Sequence, residues 1–452
     1  MKRLVFDLES NHYDFELINT IHCLAILDVD TNEEELYVDN IEEGLRRLMD
    51  ADVIIGHRII AFDIPALQIF YPWFKPTNTI RDTLIMSRMY RPKWFVHGLE
   101  KWGQVLGFKK GDYAHEFKAS AGDSYVDGDE WLTYSSAMGS YCLQDVRVNR
   151  RVYLECLKGM PYFYNEDSLE LEQYTTWLMC KQKAEGVWFN EAKAEPLMLD
   201  LIDKKEALHK YLCDAFGGFY KQGKTMTPKV NRKDLGYVKD SPFTKIIWTE
   251  FNPGSSDHVI YWLKKKYQWE PEEFTKQGTP KVTYEVLEAL ANVYPEAQPL
   301  YEYAVTDKRL SFITGAKGSW FNKVTKEGRI HGTVNPQGTV TYRGSHSDPN
   351  LGQIPKVQKD KEGNVLYGLE GGYGAECREL FSHGMGPDWK FMGCDMSGIE
   401  FRLLAHYLYQ FDDGALADTV LHGDIHSLNQ KAAGLPTRDL AKTFILIARM
   451  TW

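Results

Sequence analysis

The run Leu4-Val5-Phe6-Asp7-Leu8-Glu9 constrains the fold more than any other stretch. Leu4, Phe6 and Leu8 alternate with Val5, Asp7 and Glu9, so a strand with a period of two sets Asp7 and Glu9 on one face. Two neighbouring carboxylates cannot be buried together without a cation between them, because stripping water from like charges is too costly. The strand therefore runs along an exposed edge or lines a metal site.

More acids follow. In VIIGHRIIAFDIPAL, Val53 to Ile55 read as a second strand, and Asp63 stands at the start of a helix. In SYCLQDVRV, Tyr141 and Asp145 lie four apart, on one face of a helix. Asp82, in IRDTLIMSR, reads as a helix cap. Any one of these acids alone fits a solvated or capping residue. Asp7, Glu9, Asp63 and Asp145 as a set point to a hard cation, since Mg²⁺ prefers oxygen ligands.

A second constellation lies far downstream. Phe391, Met392, Gly393 and Cys394 read as the buried end of a strand, and Ile399, Leu403 and Leu404 recur at helical spacing after Ser397 and Gly398. Asp395 is thus expected at a strand end facing a cleft, with Glu400 and Arg402 on the next helical turn. That arrangement is either a plain strand-to-helix turn or a holder for a cation over a substrate phosphate. Upstream, TVNPQGTVTYRGSHSDPNLGQIPKV is strand-rich, punctuated by Gly338, Tyr342 and Gly344, and Pro349 to Pro355 form a tight extended loop. Arg343 and Gln353 stand on this segment. Downstream, GDIHSLNQKAAGLPTRDLAKTF carries His426, and Arg438 and Lys442 four apart.

These three blocks, in this order, resemble the polymerase I-like family A DNA polymerases, and within them the short-tailed bacteriophage branch. The resemblance runs from the first residues to about Ile445. The N-terminal order Asp-x-Glu, Asp, Tyr-x-x-x-Asp resembles the proofreading 3′-5′ exonuclease of the DnaQ-like, ribonuclease H-like class. It implies that Asp7, Glu9, Asp63 and Asp145 hold two Mg²⁺ ions and that Tyr141 helps place the attacking water. It further implies that Asp395 binds the palm metals, that Glu400 disfavours a ribose 2′-OH, and that His426, Arg438 and Lys442 hold the triphosphate of an incoming dNTP. Arg343 would bind the primer-template backbone. Gln353 would test base pairing through minor-groove acceptors common to all correct pairs. Two positions depart from the family pattern. Arg58 replaces the usual Asn after Gly-His, close to the path of single-stranded DNA, and Tyr342 replaces the usual Gly before Arg343.

The fold class implied is α/β. A ribonuclease H-like exonuclease domain would span residues 1–160, a linker and helical thumb 161–328, a partial α+β palm 329–398, and the start of the fingers of a right-hand polymerase 399–452. In the thumb, residues 167–183 and 191–216 have helical periodicity, and FNPGSSDHVIYWLKKKYQW restarts a helix at Ser255 or Ser256. Lys264, with Lys265 and Lys266, either neutralises phosphates or forms a solvated face. Some phage members of the family carry a thumb-tip insert that captures thioredoxin. The interval between Tyr220 and Phe251 is short, so thioredoxin is not expected as a partner.

After Ile445 the family pattern stops. LIARMTW stands where Tyr-Gly-x-x-Tyr-Gly is expected, with Leu446 and Met450 in place of tyrosines, and the strand bearing the second palm carboxylate is absent. The expectation is a phage replicative DNA polymerase with a complete exonuclease and an incomplete polymerising site. The missing motifs would lie in another frame, beyond an intron, or on the second chain of a split enzyme. The rival reading is a non-catalytic chain that only binds primer-template DNA.

Bulk properties bound these readings. Lys+Arg 53 against Asp+Glu 63, net −10, argues against a simple nucleic-acid coat but not against a DNA enzyme with locally clustered cations. Seven scattered cysteines without a CxxC pair indicate neither zinc nor a disulfide framework. With no signal peptide or membrane span legible, a cytoplasmic location in an infected bacterial host is expected.

Overall fold

A five-stranded sheet carries the N-terminal acids. In the computed structural model, which describes residues 1–441 except 161, 276, 295–296, 316–317, 387 and 439, β1 (Arg3–Ser10) pairs antiparallel with β2 (Ile21–Asp28), and β2 with β3 (Glu34–Tyr37). After α1 (Ile41–Met49), β4 (Val53–Gly56) runs parallel to β1. After α2 (Asp63–Phe70), β5 (Thr79–Asp82) runs parallel to β4. The strand order is β3-β2-β1-β4-β5. β1 is therefore central, which removes the exposed-edge alternative for Asp7 and Glu9. Leu4, Val5 and Phe6 are all fully buried because helices cover both faces of the strand, so the alternation in this run marks chemistry more than exposure.

Asp82 caps α3 (Thr83–Tyr90). Its carboxylate accepts from the backbone N–H of Leu84, Arg58 and Ile60 at 3.0, 3.0 and 3.2 Å. α4 (Leu99–Val105) and α5 (Tyr113–Ala121) lead to α6 (Ser136–Leu157), which the Ser135 hydroxyl caps and which packs across β1 and β2. α7 (Glu166–Glu185) then seals the edge of β5. The buried Gln173 accepts from Asp82 N–H at 2.8 Å and donates to the Ile80 carbonyl at 3.0 Å, pairing backbone groups that an edge strand would leave open. The first hydrophobic core runs from Leu4 to Leu169.

The chain continues through β6 (Val187–Phe189), α8 (Glu191–Phe216), the hairpin β7 (Gly218–Met226) and β8 (Phe243–Glu250), α9 (Ser256–Tyr267), α10 (Tyr284–Val293) and α11 (Gln298–Ile313). α8 packs along α11. Next come β9 (Arg329–Ile330), β10 (Thr333–Asn335), β11 (Ser345–Ser347), α12 (Gly374–Glu379) and β12 (Phe381–Ser382); β6 lies between β12 and β9 in a small sheet. Two further cores form here. One gathers Phe189, Trp320 and Leu380, the other Phe216, Phe251 and Leu263. The periodic segments fold as read, with α9 starting at Ser256 after Ser255. Residues 338–344 are the turn of the β10–β11 hairpin rather than strand.

The described chain divides into two compact units, Met1–Gly384 and a second beginning at Met385. The second contains α13 (Ile399–Asp412), packed on α14 (Ala415–His422), and α15 (Ile425–Ala432). Here the structure corrects one expectation. Phe391 to Cys394 form no strand, and Phe391 and Met392 are 64% and 93% exposed. Among the described residues no strand pairs with this segment, and a strand forms only by pairing. Leu403 and Leu404 on α13 are also exposed. All seven cysteines are free, and no helix among the described residues is long and apolar enough to cross a membrane.

Replacing Gln173 with Ala should lower unfolding free energy by about 1–3 kcal/mol, because it strands the buried Asp82 N–H, whereas the Ile80 carbonyl keeps the Arg81 guanidinium at 3.0 Å. The midpoint of urea denaturation reads this, and an unchanged midpoint would show the edge to be sealed by other contacts.

Candidate metal centre

Three elements converge on one cluster. β1 presents Asp7 and Glu9, the first turn of α2 presents Asp63, and α6 presents Tyr141 and Asp145 one turn apart. Glu9, Asp63 and Asp145 are 8%, 4% and 3% exposed, while Asp7 is half-buried. Carboxylate oxygens of Asp7 and Glu9 and the Cys142 thiol lie within 4.8 Å of one another. The thiol is 3.4 Å from the Asp7 carbonyl oxygen and 3.9 Å from Asp7 Oδ2. Lys110 Nζ reaches Asp145 Oδ2 at 2.6 Å and lies 4.7 Å from the centre of the Tyr141 ring. Asp145 Oδ1 is buried without a hydrogen-bond partner among the described residues.

The electrostatics follow from packing like charges out of water. Burial, and then repulsion by Asp145, Asp63 and Glu9, hold the Asp7 carboxyl well above its usual range, and burial with Asp145 does the same to Glu9. Burial pushes Asp63 up to about 7. Asp145 rises to about 6, again by burial, although the Lys110 ammonium pulls the other way. Burial and Asp145 raise the Tyr141 hydroxyl, which therefore stays protonated. His57, 3.0 Å from the Thr83 hydroxyl, is driven down to about 3 by burial and is neutral. Hard oxygen donors, one of them orphaned, and carboxyls that gain from added positive charge fit a divalent ion such as Mg²⁺. Asp7 and Glu9 bring their carboxylate oxygens close enough to share an ion, and Asp63 and Asp145 lie near enough to raise both carboxyls.

Sequence reasoning missed Lys110 and Cys142. Lys110 lies in an irregular loop and carries no periodic signal; only its place in a Lys-Lys-Gly run marks it. Cys142 follows Tyr141 directly, which is signal enough to place it on the same helix but not to turn it toward Asp7.

The two departures from the family pattern share a property. Arg58 and Tyr342 both have left-handed backbones, with φ of +72° and +58°. Asn and Gly adopt that region readily and Arg and Tyr only at a cost, so the surroundings must hold them there. Asp82 takes the Arg58 N–H, and the Tyr342 hydroxyl donates to the Met89 carbonyl at 3.0 Å.

The remaining expected residues are dispersed. Arg343 follows Tyr342, its N–H bonded to the Thr339 hydroxyl at 2.9 Å, and Gln353 is exposed on a 3-10 turn. On α9, Lys264 is exposed, whereas Lys265 and Lys266 lie over aromatic rings. Within the second unit, Asp395 is exposed in an irregular segment and Glu400 sits in the first turn of α13. The Phe401 ring meets the His426 ring at 5.7 Å, edge to face. Asp424 caps α15 and also takes Arg438 in a two-pronged pair at 2.8 and 3.1 Å, so His426 and Arg438 flank one helix start. Lys442 lies outside the described residues, as do Leu446 and Met450.

Known proteins match this chain at several levels. Residues 230–442 match the family described as DNA polymerase family A. Over 98% of its length the chain is 31% identical to the DNA-directed DNA polymerases of Enterobacteria phage T3 and Escherichia phage T7, and it covers 74% of each. Those alignments run over 544 positions, more than the 452 residues here, so the phage proteins carry segments that this chain lacks. Among solved structures, the POL domain of Pol1 from M. smegmatis in complex with DNA primer-template and dNTP superposes with a TM-score of 0.64. That match has 16% identity and spans 99% of this chain and 66% of the other, which speaks to the fold.

The raised carboxyls give a signed pH effect. Between about 4 and 7 the folded protein binds more protons at Asp63 and Asp145 than the unfolded chain does, so raising pH through this window removes stability. In EDTA the melting temperature should therefore fall from pH 5 to pH 8, and less so in an Asp63→Asn variant. Added Mg²⁺ should stabilise more at pH 8 than at pH 5; equal stabilisation at both would contradict this account of the cluster.

Proposed function

The chain belongs to DNA polymerase family A, and on that premise we propose that it is a template-directed polymerase of a phage replication system bearing a 3′-5′ proofreading exonuclease. The observation that carries the exonuclease reading is the convergence of Asp7, Glu9, Asp63 and Asp145 beside Tyr141. The central, acid-bearing strand in the order β3-β2-β1-β4-β5, crossed by α6, supports a ribonuclease H-like domain over residues 1–160. The further divisions follow the same reading: linker and thumb over 161–328, palm over 329–398 and fingers from 399.

When bound, two divalent ions activate water and stabilise the leaving 3′ oxygen of an in-line displacement. The chain's own residues do the rest. β1 and α6 fix Asp7, Glu9 and Asp145 as oxygen donors, and Asp63 closes the set from α2. Tyr141, kept protonated, offers its hydroxyl to orient the attacking water. Arg58, exposed at the rim on a left-handed backbone, meets the incoming single strand. In the polymerising part, Asp395 serves as a palm metal ligand and Glu400 faces the sugar. His426, Arg438 and Lys442 take the triphosphate, a reading supported by the pairing of Arg438 with the cap of α15 next to His426. Arg343, Gln353 and Lys264 contact primer-template DNA, and the protein acts in the infected host cell.

Purified protein with Mg²⁺ should shorten 5′-labelled single-stranded DNA from its 3′ end. The double substitution Asp7→Ala, Glu9→Ala should lower that rate by on the order of a thousandfold or more, the scale on which removal of an essential group acts. Undiminished degradation by the folded double variant would remove the assignment.

Thioredoxin is not among the proposed partners, because the interval where a capturing insert would lie is taken up by the paired strands β7 and β8 and the short connection 227–242 between them. Calorimetry with bacterial thioredoxin should show no complex tighter than about micromolar; a nanomolar dissociation constant would refute this.

A further inference from the structure

The acid cluster holds a cation of its own. Lys110 belongs to the loop between α4 and α5, yet its ammonium touches Asp145 Oδ2 at 2.6 Å with only 21% of its side chain exposed. The loop is fastened for this reach. Gln144, the residue before Asp145, donates to the Lys109 carbonyl at 2.8 Å, and Phe108 N–H bonds the Gly103 carbonyl at 2.8 Å. The Arg151 guanidinium lies 3.7 Å from the centre of the Phe108 ring. A Cβ at Gly103 would stand 2.7 Å from the Phe108 carbonyl oxygen and 3.1 Å from the Lys110 nitrogen, so the glycine lets the loop close against α4. Lys110 is therefore delivered to the cluster by the backbone, and its long side chain is stretched across the Tyr141 ring rather than left in solvent.

Resting on the reading that the four acids hold divalent ions, we propose that Lys110 is a positioning residue, the resident counter-cation of the exonuclease site. It holds Asp145 and Tyr141 in register and competes with metal for Asp145. The geometry sets the competition. Asp145 Oδ1 is buried and without a hydrogen-bond partner among the described residues, whereas Oδ2 is taken by the ammonium, so a metal ion using this carboxylate meets a positive charge already held on its other oxygen. Like charges that close, in a site shielded from water, repel strongly. The same ammonium offsets one of four carboxylate charges when no metal is bound, and so limits the repulsion the fold must bear. Lys110 thus makes the metal-free site tolerable and metal loading shallower.

The test uses the whole chain without DNA. Mn²⁺ binding is measured by calorimetry for the wild type and for Lys110→Met, Lys110→Gln and Lys110→Arg, and melting is followed in EDTA. The Met and Gln variants should bind Mn²⁺ about tenfold tighter or more and melt at lower temperature in EDTA, while Arg restores both properties toward wild type. Folded Met and Gln variants that bind Mn²⁺ with equal or weaker affinity would overturn the proposal. A separate control tells its failure from that of the site assignment. If the Asp7→Ala, Glu9→Ala protein binds Mn²⁺ as tightly as wild type, the acids are not the metal site and the role of Lys110 falls with them.

Discussion

Four carboxylates crowded around the end of one strand repel each other, and the N-terminal domain is arranged to keep them together. Asp7 and Glu9 cannot retreat, because β1 is paired with β2 along its length and with β4 through Arg3–Val5, and Leu4, Val5 and Phe6 are fully buried. Asp63 begins α2, where the partial positive charge of a helix start favours an acid. Asp145 sits mid-way along the 22-residue α6, whose cap and apolar face against β1 and β2 leave it little freedom. Apolar burial thus supplies the force that holds the charges. Raised carboxyl pKa values are the visible result of that force being larger than the repulsion.

This balance explains which parts are legible from residues alone. A period of two in Leu4–Glu9 and a spacing of four between Tyr141 and Asp145 are backbone rules, so the sequence by itself places these acids on faces. Lys110 obeys no such rule. It reaches Asp145 because Gly103, Gln144 and Arg151 close a loop, and none of those contacts has a local pattern. The strand expected at Phe391–Cys394 fails for a related reason. A strand exists by pairing, and a short apolar run specifies a readiness to pair without specifying a partner.

Positions where residue type and backbone disagree are legible in part. Arg58 and Tyr342 stand where the family resemblance sets Asn and Gly, and both keep the left-handed conformation those residues suit. The backbone therefore holds its shape while the side chain departs from it. Each is held by a bond outside its own turn, Arg58 by Asp82 and Tyr342 by Met89. Asp82 consequently does more than cap α3. It joins the His57–Ile60 turn to β5, and Gln173 of α7 reaches the same residue's backbone from the other side.

An acidic chain that handles nucleic acid must place its cations one at a time, and here several come already engaged. Lys265 and Lys266 rest over Tyr261, Trp262, Phe216 and Tyr267. Arg438 is held in a two-pronged pair by Asp424, whose carboxyl it keeps well below the usual range. A phosphate reaching Arg438 must exchange with Asp424 rather than add to an open charge, so the net gain per contact is smaller than the bare attraction. That exchange favours a ligand able to present several phosphate oxygens at once, because only such a ligand can replace a bidentate carboxylate without leaving a guanidinium N–H unpaired. With a net charge of −10, weak non-specific capture of anions is disfavoured throughout, and binding depends on that local match.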